Sequence, residues 1–281
     1  MKKTAIAILI AVLVVAIGGA LVFAGLSAVH YDFKRLDRTE YATNTYSMGT
    51  VHAIDIQGET ADVELVAEGE ADCKVVCFEN DREKYAVDAV DGTLVIRPES
   101  SKARWSLFAF AFRSPKITIY LPAGAYELLK AQLETGDITA DKALSFDRVE
   151  VGMETGDLVL NGVQARQIKA HGSTGDIRLA DMAPETVDVS VSTGKIELVN
   201  VVCSGDLRCK SSTGDIRLTD VDGANLFLSA STGDITGTIR TDKVFTAHAS
   251  TGKVRVPGTT TGGRCEAETS TGDIRLSISG K

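Results

Sequence analysis

Proline is scarce in this sequence, with 5 residues in 281, and aromatic side chains make up only 6% of it. Set beside 26 glycines, that scarcity suits short strands joined by glycine turns and argues against long helices. Basic runs are missing after the first residues. With a formal net charge of −8 and a pI near 5.1, the chain has no basic patch to neutralise phosphates, which excludes a nucleic-acid partner. Neither a Gly-x-Ser-x-Gly elbow nor a Walker sequence is present, so the usual signatures of serine hydrolases and P-loop enzymes are excluded. Cysteines number 5 and cannot all pair within one chain. Cys73 and Cys77 on one strand would lie roughly 13 Å apart, too far for a disulfide. No second closely spaced pair supports zinc, so the expectation is buried free thiols.

Apolar residues are plentiful at 44%, enough for a sizeable core and one or two domains. The strongest address signal is at the start, where Lys2 and Lys3 precede an uncharged stretch from Thr4 to Val29. At 1.5 Å per residue this run exceeds a bilayer core of about 30 Å, and it is longer than the apolar region of a cleaved signal peptide. Residues 1–29 are therefore predicted to be a retained single-pass membrane anchor. The lysines hold its N-terminus inside, so everything after about His30 is extracytoplasmic.

Thr-Gly dipeptides place Gly136, Gly156, Gly175, Gly194, Gly214, Gly233, Gly252 and Gly272 at spacings of 20, 19, 19, 20, 19, 19 and 20. A period sustained through eight copies is the mark of a solenoid, whose units bury their apolar faces only by stacking. Within each unit apolar residues alternate on both sides of the glycine, as in Val187, Val189, Ile196 and Leu198, or in Leu226, Leu228 and Ile235. That period of two predicts two strands around a Ser-Thr-Gly-Asp turn, with no helical periodicity between turns. The fold predicted is all-β, a parallel β-solenoid of about eight 19–20-residue coils, about 35 to 40 Å long at roughly 4.8 Å per rung, preceded by the transmembrane helix.

In parallel stacking, equivalent positions of successive coils form columns, which should avoid like charges. Six residues before the glycine the column reads Lys130, Glu150, Lys169, Asp188, Arg208, alternating at every step. One residue after it the column reads Asp137, Asp157, Asp176, Lys195, Asp215, Asp234, Lys253, Asp273, and two further on lie Arg178, Glu197, Arg217. The coil of Lys195 and Glu197 inverts both columns at once, which predicts Lys195 between Asp176 and Asp215. Ahead of the repeats, Val51 to Gln57, Asp62 to Val66, Cys73 to Glu79 and Tyr85 to Arg97 read as strands, with Asp91-Gly92 as a hairpin signal. Residues 30–49 read as a linker, 50–128 as an irregular β region leading into the solenoid, and 129–281 as the repeated coils.

The chain resembles the bacterial "putative adhesin" family of unknown function, the LiaG-like or toastrack group of cell-envelope β-solenoids. The resemblance rests on the N-terminal span followed by Tyr31-Asp32-Phe33, on Lys116-Ile-Thr-Ile-Tyr-Leu-Pro122, and on repeats such as Ser212 to Ile216. It implies a membrane-tethered module associated with envelope stress responses or surface interaction, and brings no catalytic residues.

Stacked carboxylates are oxygen ligands that Ca²⁺ prefers, so Asp137, Asp157 and Asp176 form a candidate cation site. The competing reading is solvated turn residues, since the Gly-Gly-x-Gly-x-Asp repeat of calcium-binding rolls is missing. His171 and His248 fall at the same outward position, four coils apart and roughly 19 Å from each other, too far to share a metal. Residues 104–113 read Arg-Trp-Ser-Leu-Phe-Ala-Phe-Ala-Phe-Arg. Phe108, Phe110 and Phe112 would share one strand face, packed on the solenoid or, with Trp105 and the flanking Lys102, Arg104 and Arg113, offered to a partner or the membrane. The function expected is a non-catalytic, membrane-anchored envelope module without cofactor, its partner an envelope protein or glycan. The alternative is a glycan-active enzyme on a β-helix, which would need converging acids enclosed by long loops.

Overall fold

The computed structural model describes residues 40–68, 72–80, 83–99 and 114–280, together with Gly18, Gly19, Phe23 and Ser27. It has two units. Tyr41–Ser101 with Ser114–Lys281 forms the β unit described below, whereas Met1–Glu40 with Lys102–Arg113 contributes only Glu40 and those four positions. The anchor expected over residues 4–29 therefore lies, but for these isolated positions, outside the described residues, as do Trp105, Phe108, Phe110 and Phe112. Among the described residues no helix is long and apolar enough to cross a membrane. The transmembrane helix is thus not supported by the fold itself.

The β unit is all strand and turn, and its sheets are mostly parallel. Each rung consists of an upstream strand, a turn and a downstream strand. In chain order the repeated rungs are β8 (Ala125–Thr135) with β9 (Ile138–Ala140), β10 (Ser145–Thr155) with β11 (Leu158–Asn161), β12 (Gln164–Thr174) with β13 (Ile177–Met182) and β14 (Thr186–Thr193) with β15 (Ile196–Val201). They continue with β16 (Asp206–Thr213) and β17 (Ile216–Val221), β18 (Asn225–Thr232) and β19 (Ile235–Ile239), β20 (Lys243–Thr251) and β21 (Val254–Arg255), and β22 (Gly263–Thr271) and β23 (Ile274–Ile278). Upstream strands stack into one sheet and downstream strands into the other, with the apolar residues of both between them. Val187, Val189, Ile196 and Leu198 are all buried, and a fully buried aliphatic side chain of this size stabilises by about 1.5 to 3 kcal/mol.

The glycine in the turn is required twice over. Gly156 has φ 141°, and a Cβ built on it would stand 2.0 Å from the carbonyl oxygen of Gly136 on the preceding rung. Gly175 and Gly194 repeat the approach at 1.9 Å. A methyl group here would push the two rungs apart at the point where Gly136 N–H donates to Thr155 and Ile138 N–H to Asp157.

The rungs do not stack in chain order at either end. In sequence, β20 and β21 precede β22 and β23, yet the sheet orders run β18–β22–β20 and β19–β23–β21. The final rung is thus inserted beneath its predecessor, which becomes the outermost, and this corrects the expectation of sequential stacking. The physical reason is apolar quality. Cys265, Ala267, Ile274 and Leu276 fill the inserted rung and are buried, while Pro257 follows a downstream strand of only two residues in the outer one. The histidines move accordingly: His171 and His248 stand five rungs apart rather than four.

At the front, β2 (Ala53–Thr60) and β3 (Asp62–Glu68) form a complete rung stacked in parallel on β8 and β9. On its other side lie β6 (Thr93–Pro98) and β7 (Lys116–Pro122), also parallel. Antiparallel strands close this end: β5 (Tyr85–Val90) on β6, and β4 (Cys73–Asn80) then β1 (Tyr41–Gly49) on β7. Asp91 and Gly92 form the expected hairpin turn, both at positive φ. The repeat therefore reaches further back than the eight Thr-Gly coils.

Candidate functional site

The turn column was the richest chemical signal in the sequence, and the structure gives it a defined task. Asp157 N–H donates to Asp137 Oδ1 at 2.8 Å, Asp176 N–H to Asp157 Oδ1 at 2.7 Å, and Lys195 N–H to Asp176 Oδ1 at 2.7 Å. The ladder begins at Asp62, which accepts from Asp137 at 3.1 Å, stops at Lys195, which has no carboxylate to offer the next rung, and resumes with Asp215, Asp234 and Asp273 as acceptors. Each aspartate so satisfies an N–H that the turn would otherwise leave unpaired. Asp137, Asp157 and Asp176 do stand together as expected, but as backbone acceptors. Among the described residues no group of three or more His, Cys, Asp or Glu is arranged to hold a metal ion.

Asp62 belongs to a turn that the period alone did not reveal. The signal was local: Glu59-Thr60-Ala61-Asp62 matches Glu134-Thr135-Gly136-Asp137, but the strands from β4 to β7 intervene and break the spacing.

The charge columns hold their register. Glu197 pairs with Arg178 on one side and Arg217 on the other, and Lys195 Nζ lies 3.9 Å from Asp176. Arg178 also forms a salt bridge with Glu197. Donation by the Asp234 N–H holds Asp215 below the usual carboxylate range, helped by Arg217 and by Lys195. In the alternating column Asp55 precedes Lys130, and Phe227 follows Arg208, whose guanidinium lies 4.0 Å from the ring centroid.

Two open grooves accompany these columns. On the upstream sheet, Gly58 and Gly152 leave a groove of about 470 Å³ between the side chains of Gln132, Met153 and His171. Its rim carries Glu59, Glu134 and Glu154, which take the same place on three successive rungs and are all exposed. This glutamate column is hidden in the sequence because Glu59 precedes a turn with Ala61 in the glycine place, outside the Thr-Gly period. At the opposite corner a groove of about 760 Å³ runs past Arg166, Asp181, Asn200 and Arg240. Arg240 donates to Asp220 at 3.0 Å and reaches back to Asn200, which pulls the Asp220 carboxyl below its ordinary range. Among the described residues the turns that follow Glu134 and Glu154 are short, with two residues between β8 and β9 and two between β10 and β11.

All five cysteines are buried and free. Burial pushes the Cys73 thiol up to about 11 and those of Cys77, Cys203 and Cys265 to about 12, and raises Cys209 as well. One buried ion pair stands out: Lys243 Nζ lies 2.6 Å from Asp222 Oδ1, with side chains only 4% and 12% exposed.

The family model described as Toastrack DUF4097 matches residues 51–281. The chain belongs to this family. Among solved structures, the Toastrack chain is similar to a "putative adhesin" from Bacteroides fragilis NCTC 9343, at 15% identity, covering 85% of this chain and 97% of that one with a TM-score of 0.56. This likeness shows the shared fold. Two proteins of Parabacteroides distasonis ATCC 8503 also match. One is a "putative adhesin" at 11% identity, 85% and 98% coverage and TM-score 0.42. The other is a "putative lipid binding protein" at 14% identity, 86% and 98% coverage and TM-score 0.45. No curated protein matches the Toastrack chain.

Proposed function

We propose that this chain is a non-catalytic interaction module of the bacterial cell envelope, tethered by residues 4–29 in the membrane with its solenoid on the extracytoplasmic side. The observation that carries this reading is where the chain leaves the described β unit. Tyr41 pairs with Asn80, and Phe78 on the same strand pairs with Lys116. Tyr41 also stacks on Phe78, with ring centroids 4.9 Å apart. The segment that follows the anchor and the segment 100–113 therefore join one corner of one sheet, two strands or about 10 Å apart. Residues 100–113 lie in sequence between β6 and β7, and their sequence is aromatic with basic flanks. An anchor and an aromatic, basic contact segment (Trp105, Phe108, Phe110 and Phe112) joined to the same corner suit a protein that meets the bilayer with one end.

Among the described residues the aspartates of the turn column are occupied as rung-to-rung acceptors, which supports a scaffold over a glycan-active enzyme for that column. Adhesion or coupling to envelope stress is the role this module serves, through an envelope protein or glycan. Protease added to intact spheroplasts should digest the repeats while an N-terminal fragment stays in the washed membrane. Repeats that survive until lysis, or a mature N-terminus mapped near residue 28, would overturn the tethered reading.

A further inference from the structure

The two ends of the solenoid are finished differently. At the front, β1, β4 and β5 run antiparallel over the last parallel rung, whereas the far end stops at β20 and β21, each the terminal strand of its sheet. Solenoid ends ordinarily carry a capping unit with a polar outer face. Here the outermost rung exposes Val244 and Val254, each over 40% accessible, and its inward Phe245, Ala247 and Ala249 are only partly buried.

Within this end lies a notch. β23 pairs with β19 from Ile274 to Ile278, but on its other side β21 covers only Ile274 and Arg275. From Leu276 to Ile278 that edge faces a cavity of about 300 Å³, lined by Val256, Pro257, Thr259, Leu276 and Ile278 with Arg255 at its mouth. Lys253 and Arg255 are exposed, and neither has a salt-bridge partner among the described residues. Arg275 beside them is held by Asp234 and Asp273.

We propose that this notch takes an extended acidic segment of a partner protein, which adds as a strand along the open edge of β23. Alternation decides the chemistry. In a strand continuing this sheet past Arg255, inward side chains would cover Leu276, Ile278 and Val256 and must be apolar, while the outward one level with Ser277 is the next outward place after Arg255, with Lys253 one outward place further back, and suits an acid. Strand addition supplies main-chain hydrogen bonds, and the two cations select the sequence. A second copy of this chain is disfavoured, because an antiparallel meeting of two such ends sets Lys253 and Arg255 against their own kind. The inference deepens the interaction reading and rests on it for the class of partner, but not on the membrane tether.

The test uses the full chain in detergent and labelled peptides of about nine residues, an ordinary strand length. One alternates valine with aspartate, a second valine with lysine, and a third is the aspartate peptide N-methylated at alternate residues. Anisotropy should show the aspartate peptide binding at least about tenfold more tightly than the lysine peptide at low salt, and the N-methylated one losing binding. In the Lys253→Glu, Arg255→Glu variant the charge preference should reverse. Equal affinity for both charges, a preference unchanged in the variant, full binding of the N-methylated peptide, or no binding would each overturn the proposal. Concentration-dependent dimers in sedimentation that the aspartate peptide does not dissociate would give the notch to a second copy instead. A chain that binds the peptide yet fails the spheroplast experiment would lose the tether and keep the notch.

Discussion

Asp157 accepts the backbone N–H of Asp176, one rung away, at 2.7 Å. The acceptor is a single oxygen, so an amide can replace the carboxylate but a methyl group cannot. Asp157→Ala should destabilise the protein by about 1 to 2 kcal/mol, while Asp157→Asn should cost less than about 0.5 kcal/mol, measured by urea unfolding. Equal losses for the two variants would point to the charge rather than the hydrogen bond, and would return the column to the cation reading.

The inversion at Lys195 offers a second measurement. Lys195→Glu places an acid between Asp176 and Asp215 and beside Glu197, whose carboxylate lies 3.7 Å from the present ammonium. These groups are partly exposed, so the expected loss is only about 1 kcal/mol at low ionic strength, shrinking as salt is added. A loss that salt leaves unchanged would mean packing, not charge, holds Lys195 in place.

The middle of this fold was legible in the sequence, because turn, strand face and charge column all repeat together there. Lys195 and Glu197, which invert two charge columns in one coil, specify the register there. The ends were not legible, and for a physical reason: equivalent positions carry nearly the same residues in every coil, so the columns cannot say which coil neighbours which. Charge pointed the wrong way, since chain order would have set Lys253 between Asp234 and Asp273, whereas the structure sets Asp273 between Asp234 and Lys253. Core quality outweighed a weak surface pair. The Thr60-Ala61-Asp62 turn was hidden by alanine in the glycine place, and Glu59, Glu134 and Glu154 become a column only once that rung is recognised.

The cysteines make a prediction about pH. Their folded pKa values lie above the ordinary thiol value of about 8.5 because burial disfavours the thiolate. Unfolded thiols release their protons first as pH rises. The stability they contribute is therefore complete below about pH 8 and is lost progressively as pH climbs through the folded values of about 11 to 12. Native protein at pH 8 should leave all five thiols unlabelled by a thiol reagent, with full labelling in guanidinium. Cys203→Ala should flatten the alkaline decline; rapid native labelling of Cys203 would refute its burial.

The out-of-order ending is pinned by Lys243, the first residue of the displaced outer rung. Its ammonium reaches Asp222 at 2.6 Å and Thr241 at 2.5 Å, while its carbonyl accepts from Thr259 of the loop that leads back to the inserted rung. Asp222 in turn receives the Gly223 N–H at 2.9 Å, so the pair ties the end of one rung to the beginning of the one that must stand clear of it. Lys243→Met leaves a carboxylate buried without its cation and should destabilise by about 3 kcal/mol or more. The double change Lys243→Met, Asp222→Leu removes both charges and should recover most of that loss. Cys265 in the inserted rung is the local reporter: in the single variant its thiol should become reactive at denaturant concentrations where Cys77, at the other end, is still protected. If the two thiols open together, or the single variant loses less than about 1 kcal/mol, the ion pair does not hold the inserted rung.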